Sequence, residues 1–497
     1  MNTQSGRGLA AVLAMTMLAT LTGTRASAQQ NFKVLASFDE TDGFEPDGAL
    51  VQGLDGNLYG TTYYGGDGLE DGTIFRITPT GTLTMLYSFC AQSGCADGTV
   101  PVGGLLLATD GNFYGTTFGG GAHRAGTVFR VTPGGSLTTL YSFCAQAGCP
   151  DGAEVLAPLI QGTDGNFYGT SEAGGSKNSG TVFRITPAGK FTRLHSFCAL
   201  QDCKDGLYPG APLIQATDGS FYGTTLEGGD NNTCLHGTCG TVFRITGTGT
   251  FTTLHSFDGL DGSYVDGLVQ GSDGDFYGTT TWGGAQNWGT VFKMTPSGTL
   301  TTIYSFCTQT NCTDGSGPPS DETSSTLIEG NDGNFYGTTY YGGIDYQDCP
   351  PYGCGTVFKI TPAGSLTTLH SFNGSAGAFP QGLAQATNGA FYGATFAGGS
   401  GRSCYQRCGT VFGITVGLGP FVETLPHTGK TGAAVEILGT DLTGATGVTF
   451  NGISATFNVA SSSEITTTVP SGAKSGPVEV VTPGGTLRSN VPFRVVQ

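Results

Sequence analysis

A nine-residue phrase, TDGNFYGTT at residues 109–117, recurs along this chain and restricts the folds that it can adopt. Close copies follow at 163–171 and 217–225, and the FYG or LYG core of the phrase occurs seven times. The cores begin at Leu58, Phe113, Phe167, Phe221, Phe276, Phe335 and Phe391. A spacing of about 50 to 60 residues between copies is typical of propellers, solenoids and other arrays. The chain is therefore predicted to repeat one structural unit.

Each repeat is predicted to contain four short strands. They are an apolar run (strand a), NFYGTT (strand b), GTVFRIT (strand c) and LTTLYSF (strand d), all rich in β-branched and aromatic residues. Asp-Gly between strands a and b is a hairpin signal. Thr-Pro-x-Gly between strands c and d, as at residues 186–189, combines a proline that fixes φ with a glycine that allows positive φ. Four antiparallel strands repeated around an axis predict the blades of a β-propeller.

The strand count predicts how the propeller closes. Strands a, b and c each occur seven times, but only six d strands lie between repeats. A seventh, FKVLASF at 32–38, precedes the first repeat, and the last repeat stops after its c strand at 409–415. We therefore predict an all-β, seven-bladed propeller over residues 29–417 in which the N-terminal strand completes the last blade and leaves no open edge. An open solenoid is the alternative, but it explains neither the surplus strand nor the missing one.

The ordered phrases FYGTT, GG, GTVF, TPxG and LYSF resemble the GloVer tandem repeat of secreted and surface-attached bacterial proteins, over residues 29–417. This resemblance implies a propeller-like fold and an extracellular location, and it carries no assigned activity.

Residues 418–497 lack these phrases and contain no cysteine. Their motifs at 439–442, 448–452 and 480–485 resemble an IPT/TIG domain, a small immunoglobulin-like β-sandwich. Alternating runs separated by turn signals every 8 to 12 residues or so agree with a sandwich. Such modules usually serve as spacers or binding additions.

The N-terminal 28 residues have the form of a secretory signal peptide. Arg7 precedes an apolar run, and the small residues Ala26 and Ala28 mark a cleavage site after Ala28. The alternative, a membrane anchor, is disfavoured because the run is short for a span of about 20 residues. No later stretch is apolar enough to span, so we expect an exported monomer at the cell surface, in the periplasm or outside the cell.

Charge excludes two classes of partner. Removal of Arg7 and Arg25 with the signal peptide leaves 18 basic against 37 acidic residues, a formal net charge of −19. Nucleic acid and anionic lipid are repelled by such a chain.

All 14 cysteines fall into close pairs, which in an exported chain predicts local disulfides. The predicted bonds join Cys90 with Cys95, Cys144 with Cys149, Cys198 with Cys203, Cys234 with Cys239, Cys307 with Cys312, Cys349 with Cys354 and Cys404 with Cys408. Closing so short a loop contributes only about 2 kcal/mol, so we expect these bridges to stiffen loops more than they hold the fold. A zinc site needs two pairs at one place, whereas these belong to different repeats, so we expect neither metal nor cofactor.

Every cysteine pair lies in a d–a or b–c loop. Because strands alternate in direction, these loops share one face of the propeller, the loop face, and the a–b and c–d turns share the other, the turn face.

Binding is predicted on the loop face, because variable loops on a rigid scaffold usually carry function. The candidate binding residues are aromatics that follow strand b or lie in the b–c loops: Tyr63, Tyr64, Phe118, Trp282, Trp288, Tyr340, Tyr341 and Phe396. Trp282 and Trp288 belong to one loop that lacks a disulfide. They are interpreted either as a brace for that loop or as a stacking platform for a sugar ring, since indoles suit both roles.

No catalytic motif of the G-x-S-x-G, HExxH or phosphate-loop type is present. His195, His255 and His370 take the tyrosine position of LYSF and are interpreted as packed strand residues. Asp-Gly recurs in the d–a loops, where turn formation is favoured over a calcium ring. The aspartates are Asp42, Asp97, Asp151, Asp205, Asp261 and Asp314. Acid/base pairs drawn from Glu154, Glu172, Glu227 and Asp230 stay open.

The preferred function is a secreted, non-enzymatic binding protein that contacts a polysaccharide or a surface protein through the loop face. The alternatives are a carbohydrate-active enzyme, either a glycoside hydrolase or a polysaccharide lyase, with its site on the same face, and a purely structural surface protein.

A repeated ion pair is predicted at the turn face, between the a–b turn and strand c of repeats 1 to 6. The turn aspartates are Asp55, Asp110, Asp164, Asp218, Asp273 and Asp332, and the basic residues are Arg76, Arg130, Arg184, Arg244, Lys293 and Lys359. The seventh repeat replaces both at once, with Asn388 and Gly413.

Overall fold

The computed structural model describes residues 31–39, 41–67, 70–231, 234, 239–318, 327–400 and 408–496. The predicted signal peptide lies outside these residues. The described chain consists of β-strands joined by turns, with single 3₁₀ turns at Ser93–Cys95, Gln201–Cys203 and Thr310–Cys312. Within those ranges, no helix has the length and apolarity needed to cross a membrane.

The repeats form successive four-stranded antiparallel sheets, numbered here 1 to 7. Sheet 1 contains β2 (Phe44–Gln52), β3 (Leu58–Tyr64), β4 (Thr73–Ile77) and β5 (Leu83–Ser88). Sheet 2 contains β6 (Thr99–Leu107), β7 (Phe113–Gly119), β8 (Thr127–Val131) and β9 (Leu137–Ser142). Sheet 3 contains β10 (Ile160–Gln161), β11 (Phe167–Ser171), β12 (Thr181–Ile185) and β13 (Phe191–Ser196). Sheet 4 contains β14 (Ile214–Gln215), β15 (Phe221–Thr225), β16 (Thr241–Ile245) and β17 (Phe251–Ser256).

Sheet 5 contains β18 (Ser263–Gln270), β19 (Phe276–Trp282), β20 (Thr290–Met294) and β21 (Leu300–Ser305). Sheet 6 contains β22 (Ile328–Glu329), β23 (Phe335–Thr339), β24 (Thr356–Ile360) and β25 (Leu366–Ser371). Sheet 7 contains β26 (Ala378–Gln385), β27 (Phe391–Ala397) and β28 (Thr410–Thr415), together with β1 (Asn31–Ser37) from the start of the chain.

The pairing of β1 with β28 is the one that the strand count predicts. The strands run antiparallel, with Asn31 opposite Thr415 and Ser37 opposite Thr410. A register shift between Val34 and Ala36 bulges β1, and the other outer strands are bulged in the same way, for example β13 against β12. The N-terminal segment therefore takes the place of the d strand that the last repeat lacks, and that prediction is confirmed.

Sheets contact their neighbours through one repeated set of interactions. The tyrosine of each FYG or LYG core packs against the first aromatic of the next core. The ring centroids of Tyr59/Phe113, Tyr114/Phe167, Tyr168/Phe221, Tyr222/Phe276, Tyr277/Phe335 and Tyr336/Phe391 lie 3.9–4.4 Å apart. Such aromatic pairs add stability beyond the area they bury.

Sheet 7 contacts sheet 1 as other consecutive sheets contact each other. The Gln161 side chain of sheet 3 accepts a hydrogen bond from the Thr109 amide of sheet 2 at 3.0 Å. The Gln52 side chain of sheet 1 accepts the equivalent bond from the Thr387 amide of sheet 7 at 2.9 Å. Strand β2 also contacts β26 and β27. The first and last sheets are therefore neighbours.

The C-terminal residues form two further four-stranded sheets, here called the C-terminal sandwich. One sheet has the order β29 (Glu423–Leu425), β31 (Ala434–Leu438), β35 (Glu464–Thr468), β34 (Phe457–Val459). The other has the order β33 (Ile453–Ser454), β32 (Gly447–Phe450), β36 (Val478–Thr482), β37 (Gly485–Arg488). The short strands β30 (Thr428–Gly429) and β38 (Arg494–Val495) pair in parallel. Both sheets contribute to one buried core that includes Ile437, Ile465, Phe450 and Val480.

The C-terminal sandwich packs on the turn face of the repeated sheets. Leu438 and Leu425 join an apolar cluster with Leu54, Tyr59 and Phe113. The Ser463 hydroxyl donates to the Leu54 carbonyl at 2.7 Å, and the Thr387 and Thr440 hydroxyls lie 2.9 Å apart. The sandwich therefore covers part of the turn face, and the loop face lies on the other side of the sheets.

Candidate functional site

Six of the predicted disulfides are present in the loops of the loop face. They join Cys90 with Cys95, Cys144 with Cys149, Cys198 with Cys203, Cys234 with Cys239, Cys307 with Cys312 and Cys349 with Cys354. Cys404 lies outside the described residues, and Cys408 is disulfide-bonded. Among described cysteines none is free.

The bridges differ in burial according to the loop that carries them. In the b–c loops, Cys239 and Cys354 are fully buried and belong to apolar clusters of the core. In a d–a loop, by contrast, Cys149 is only half-buried. Cys239 and Cys354 directly precede strand c and therefore pack in the core as well as closing a loop.

The Asp-Gly aspartates of the d–a loops anchor those loops to strand d. Asp97 is fully buried. It accepts hydrogen bonds from the Tyr87 hydroxyl at 2.8 Å and from the Ala91 and Gln92 amides. The equivalent pairs are Tyr141/Asp151, His195/Asp205, His255/Asp261 and Tyr304/Asp314, at 2.7–3.0 Å. The prediction of turn-forming aspartates missed this role, although a tyrosine or histidine of strand d precedes five of the six aspartates in sequence; Asp42 instead follows Ala36.

His370 is the exception among these strand residues, because Ala376 stands where the other loops carry aspartate. Within the described chain its Nε2 atom has no hydrogen-bond partner. Burial lowers the pKa of His370 to about 4. The ring stacks on Phe32 with 3.6 Å between centroids. His370 is therefore neutral at pH 7, and it is a packed strand residue, as the sequence predicts for the histidines of this position.

Four of the predicted aromatics form one continuous group with two residues that the sequence interpretation missed. We call this group the aromatic ladder: Trp282, Trp288, Tyr352, Tyr341, Tyr340 and Phe379. Successive ring centroids in that order lie 5.7, 5.8, 5.4, 4.9 and 4.7 Å apart. The ladder begins in sheet 5, crosses sheet 6 and ends in sheet 7. Tyr352 is 50% exposed.

The other predicted aromatics lie elsewhere on the loop face. Tyr63 and Tyr64 contact each other at 4.5 Å, and Tyr64 also contacts Phe44. Phe396 packs against the buried cluster of sheet 7, and Phe118 is half-buried at the end of β7. In the contacts of the described residues, these four side chains are not part of the ladder.

Two of the four candidate acid/base residues are engaged by neighbouring side chains. The Tyr264 hydroxyl donates to Glu227 at 3.0 Å. Asp230 forms an ion pair with Lys204 at 2.9 Å. Glu154 is exposed and holds a positive φ of 56°, and its carbonyl accepts the Glu172 amide.

One group of potential metal ligands occurs in the described residues, namely Asp71 with Cys90 and Cys95. Because a disulfide joins the two sulfurs, they cannot act as the thiolates that zinc requires. This group does not fit a metal.

At the turn face, the predicted ion pairs form in sheets 4, 5 and 6. Asp218/Arg244, Asp273/Lys293 and Asp332/Lys359 are separated by 3.1, 2.8 and 2.7 Å. In sheet 3, burial raises the pKa of Asp164. Hydrogen bonds from Asn166 and Tyr168 and attraction to Arg184 outweigh burial and leave that pKa lowered. The tyrosine bond, 2.8 Å from the Tyr168 hydroxyl to Asp164, was not predicted and recurs in sheets 1 to 6.

The family model of the Gloeobacter/Verrucomicrobia repeat matches residues 24–238 and 234–463. The chain belongs to this repeat family. The GloVer resemblance of the repeats is thereby confirmed, and the second match extends into the C-terminal sandwich. No curated protein matches the chain in sequence.

Two solved structures share the fold of this Gloeobacter/Verrucomicrobia repeat protein. Virginiamycin B lyase from Staphylococcus aureus, crystallised with quinupristin, has a TM-score of 0.50 and 14% identity, over 78% of this chain and 99% of that one. A fungal alcohol oxidase of the AA5 family, in complex with copper, has a TM-score of 0.51 and 12% identity, over 95% of this chain and 100% of that one. At these identities the likeness is one of fold alone, an all-β, propeller-like arrangement of repeated sheets.

Proposed function

We propose that this protein is an exported, non-enzymatic, seven-bladed β-propeller that binds polysaccharide through its loop face. In this proposal each of sheets 1 to 7 is one blade, the C-terminal sandwich is an IPT/TIG-type domain, and residues 1–28 are a signal peptide. The six disulfides support export, because such bonds persist in oxidising compartments. The contact between sheets 7 and 1 supports a closed ring of blades.

The aromatic ladder is the observation that carries the proposal. Aromatic rings offer a large apolar face, and in tyrosine and tryptophan a polar edge, which suits a sugar that is apolar on one face and hydroxylated around its rim. The rings of the ladder brace one another, as in the near-parallel stack of Tyr340 on Phe379. A surface that is already ordered loses little conformational entropy when a ligand binds. Because the ladder crosses three sheets, its ligand is a chain rather than a single sugar.

The engaged carboxylates favour binding over glycoside hydrolysis. A glycosidase uses two carboxyl groups about 5 to 10 Å apart at the scissile bond, one as acid and the other as base or nucleophile. Here Glu227 accepts a tyrosine hydroxyl and Asp230 pairs with a lysine. Both side chains are thus committed to structural contacts on the loop face.

The test is a glycan-array screen of the chain that begins at Gln29, followed by calorimetric titration of the glycans that bind. Tyr352→Ala removes an exposed ring without opening the core, and we expect its affinity to fall about tenfold, as at a binding hot spot. Tyr63→Ala removes a loop-face tyrosine outside the ladder and is the matched control, with unchanged affinity. Equal losses in both variants, or no bound glycan on the array, would contradict the proposal.

A further inference from the structure

A cavity of about 310 Å³ lies between the C-terminal sandwich and the turn face of sheets 2 and 3. The sheets contribute Thr109, Gln161, Gly162, Thr163 and Gly165, and the sandwich contributes Leu425, Pro426, Thr428, Ala434 and Glu436. Its volume is at the lower end of the range for small-molecule sites, about 300 to 1,000 Å³. Because its walls come from both parts of the chain, the cavity exists only while the sandwich is packed on the sheets.

Two polar atoms in the sandwich wall lack partners. Glu436 Oε2 and Thr428 Oγ1 are buried and form no hydrogen bond with any described residue. Buried polar side-chain atoms are normally hydrogen-bonded, so two unpartnered ones on residues that line the same cavity require an explanation. On the opposite wall the Gln161 amide is already used, because its oxygen accepts the Thr109 amide and its nitrogen donates to the Gly165 carbonyl. The atoms that still lack a hydrogen bond are therefore both oxygens, and both belong to the sandwich side of the cavity.

The cavity also has an acidic side chain in its wall, that of Glu436. Strand register places Glu436 opposite Thr466 and Glu464 opposite Leu438, so both glutamates point to the same side of the sheet. Burial, repulsion by Glu464 and a hydrogen bond between the two carboxyl groups raise the pKa of Glu436, so its Oε2 atom is unpartnered although the carboxyl group as a whole is not. None of the lining residues is a lysine, arginine or histidine. A ligand that donates hydrogen bonds and brings positive charge would satisfy this site.

The remaining wall limits which cation fits. Calcium takes about six to eight oxygen ligands, carboxylates prominent among them, whereas the side chains here offer a single carboxylate. Leu425, Pro426 and Ala434 supply apolar surface instead. We propose that this interdomain cavity binds a small organic ammonium compound, whose protonated amine is held by Glu436 and Thr428 while its carbon chain lies against Leu425 and Pro426. This site is independent of the loop face and of polysaccharide binding.

Calorimetric titration of the chain that begins at Gln29 with spermidine at pH 7.5 tests the proposal. We expect saturable binding at one site, at least tenfold weaker in Glu436→Gln and a few-fold weaker in Thr428→Val. The matched control is Glu479→Gln, since Glu479 lies on the other sheet of the sandwich and outside the cavity. Its affinity should equal that of the unsubstituted chain.

Thermal unfolding without spermidine separates binding from folding. Glu436→Gln should melt at the same or a higher temperature, because it removes a carboxylate whose charged form the folded state disfavours. Absence of saturable binding, or equal affinity in Glu436→Gln and the unsubstituted chain, would overturn the proposal. Equal weakening in Glu436→Gln and Glu479→Gln would also overturn it, since that result indicates attraction to the overall negative charge.

Discussion

In sheet 3 the turn between the first two strands carries Asp164, which accepts hydrogen bonds from Asn166 and Tyr168. In sheet 7 the same turn carries Asn388, whose amide donates to the Tyr392 hydroxyl at 2.8 Å. The sheet 7 turn lies under the chain that leads into the C-terminal sandwich: a Cβ on Gly389 would meet the Leu418 carbonyl oxygen at 2.5 Å. A covered turn cannot hydrate a carboxylate, so a neutral amide avoids the cost of burying charge.

The boundary between sheets 6 and 7 differs from the other boundaries in a second way. Between sheets 3 and 4, His195 is held by Asp205 and stacks on Phe251 with 3.9 Å between centroids. Between sheets 6 and 7, His370 keeps the equivalent stack on Phe32 but lacks the carboxylate. The repeat thus retains its packing where the chain ends meet and loses its charged anchors there. Shape, rather than charge, therefore joins sheet 7 to its neighbours.

Deletion of residues 31–38 removes part of that packing and should cause the largest loss of stability. The deletion takes away the partner of β28 and the fully buried Phe38. Several backbone hydrogen bonds at about 1 kcal/mol each, plus about 3 to 5 kcal/mol for a buried aromatic, would consume a typical stability of about 5 to 15 kcal/mol. A chain that begins at Asp39 should aggregate or melt far below one that begins at Gln29. Equal melting temperatures would show that β28 does not depend on β1.

The next effect concerns pH at the same boundary. The unfolded state protonates His370 near its ordinary pKa of 6.5, whereas the folded state does so only near 4. Stability contributed by neutral His370 is therefore present above pH 6.5 and is lost as the pH falls towards 4, by at most about 3 kcal/mol. His370→Phe keeps the stack and should flatten the urea-unfolding free energy over this window.

His195→Phe is the contrasting variant, because it removes the side-chain partner of the buried Asp205 and leaves it the backbone amides of Ala199 and Leu200 as donors. We expect it to lose stability at pH 7, where His370→Phe does not. If both variants respond alike to pH, the distinction between the two boundaries is wrong.

Exchange of the two turn residues should have an intermediate effect. Asn388→Asp places a carboxylate under the sandwich with Gly413, rather than an arginine, on the neighbouring strand, and should cost about 1 to 3 kcal/mol at pH 7. Asp164→Asn should cost about 1 kcal/mol. The folded pKa of Asp164 is lowered, so the stability lost in Asp164→Asn should disappear as the pH falls through that pKa. The stability lost in Asn388→Asp should disappear at a higher pH, where the new carboxyl group becomes protonated. Urea titrations at pH 7 and pH 3 check both signs; equal costs at pH 7 would contradict the comparison.

How far the sequence predicts this structure depends on the range of the interaction. Strand pairing within a sheet follows from local apolar patterns and turn residues, and the pairing of β1 with β28 follows from counting strands. The pairs of Tyr87 with Asp97 and of its equivalents were missed because both residues also have ordinary local roles, in the strand and in the turn. At the last of these loops Ala376 replaces the aspartate while His370 is retained, so one member of the pair is lost without the other.

Contacts between loops and between separately folded parts were beyond sequence reasoning. Tyr352 joins the aromatic ladder from a loop of sheet 6 and Phe379 joins it from strand β26 of sheet 7, and nothing in their local sequence distinguishes them from other aromatics. The packing of Leu438 against Leu54 depends on two surfaces that fit only after each part has folded. The cavity that contains Glu436 is a product of that fit, so no motif could reveal it.

The smallest expected change in stability comes from removing an exposed ion pair while the packing between sheets is kept. Lys359→Met removes the ion pair with Asp332 while its methylenes still cover Tyr336, over whose ring the ammonium lies at 5.6 Å. Exposed pairs contribute less than about 1 kcal/mol and are screened by salt. We therefore expect a small loss of unfolding free energy in dilute buffer and none in concentrated sodium chloride. A loss of unfolding free energy that persists in salt would mean that the ion pairs, and not packing alone, hold the turns of sheets 1 to 6. Sheet 7, which lacks this ion pair, would then depend on its contact with the sandwich instead.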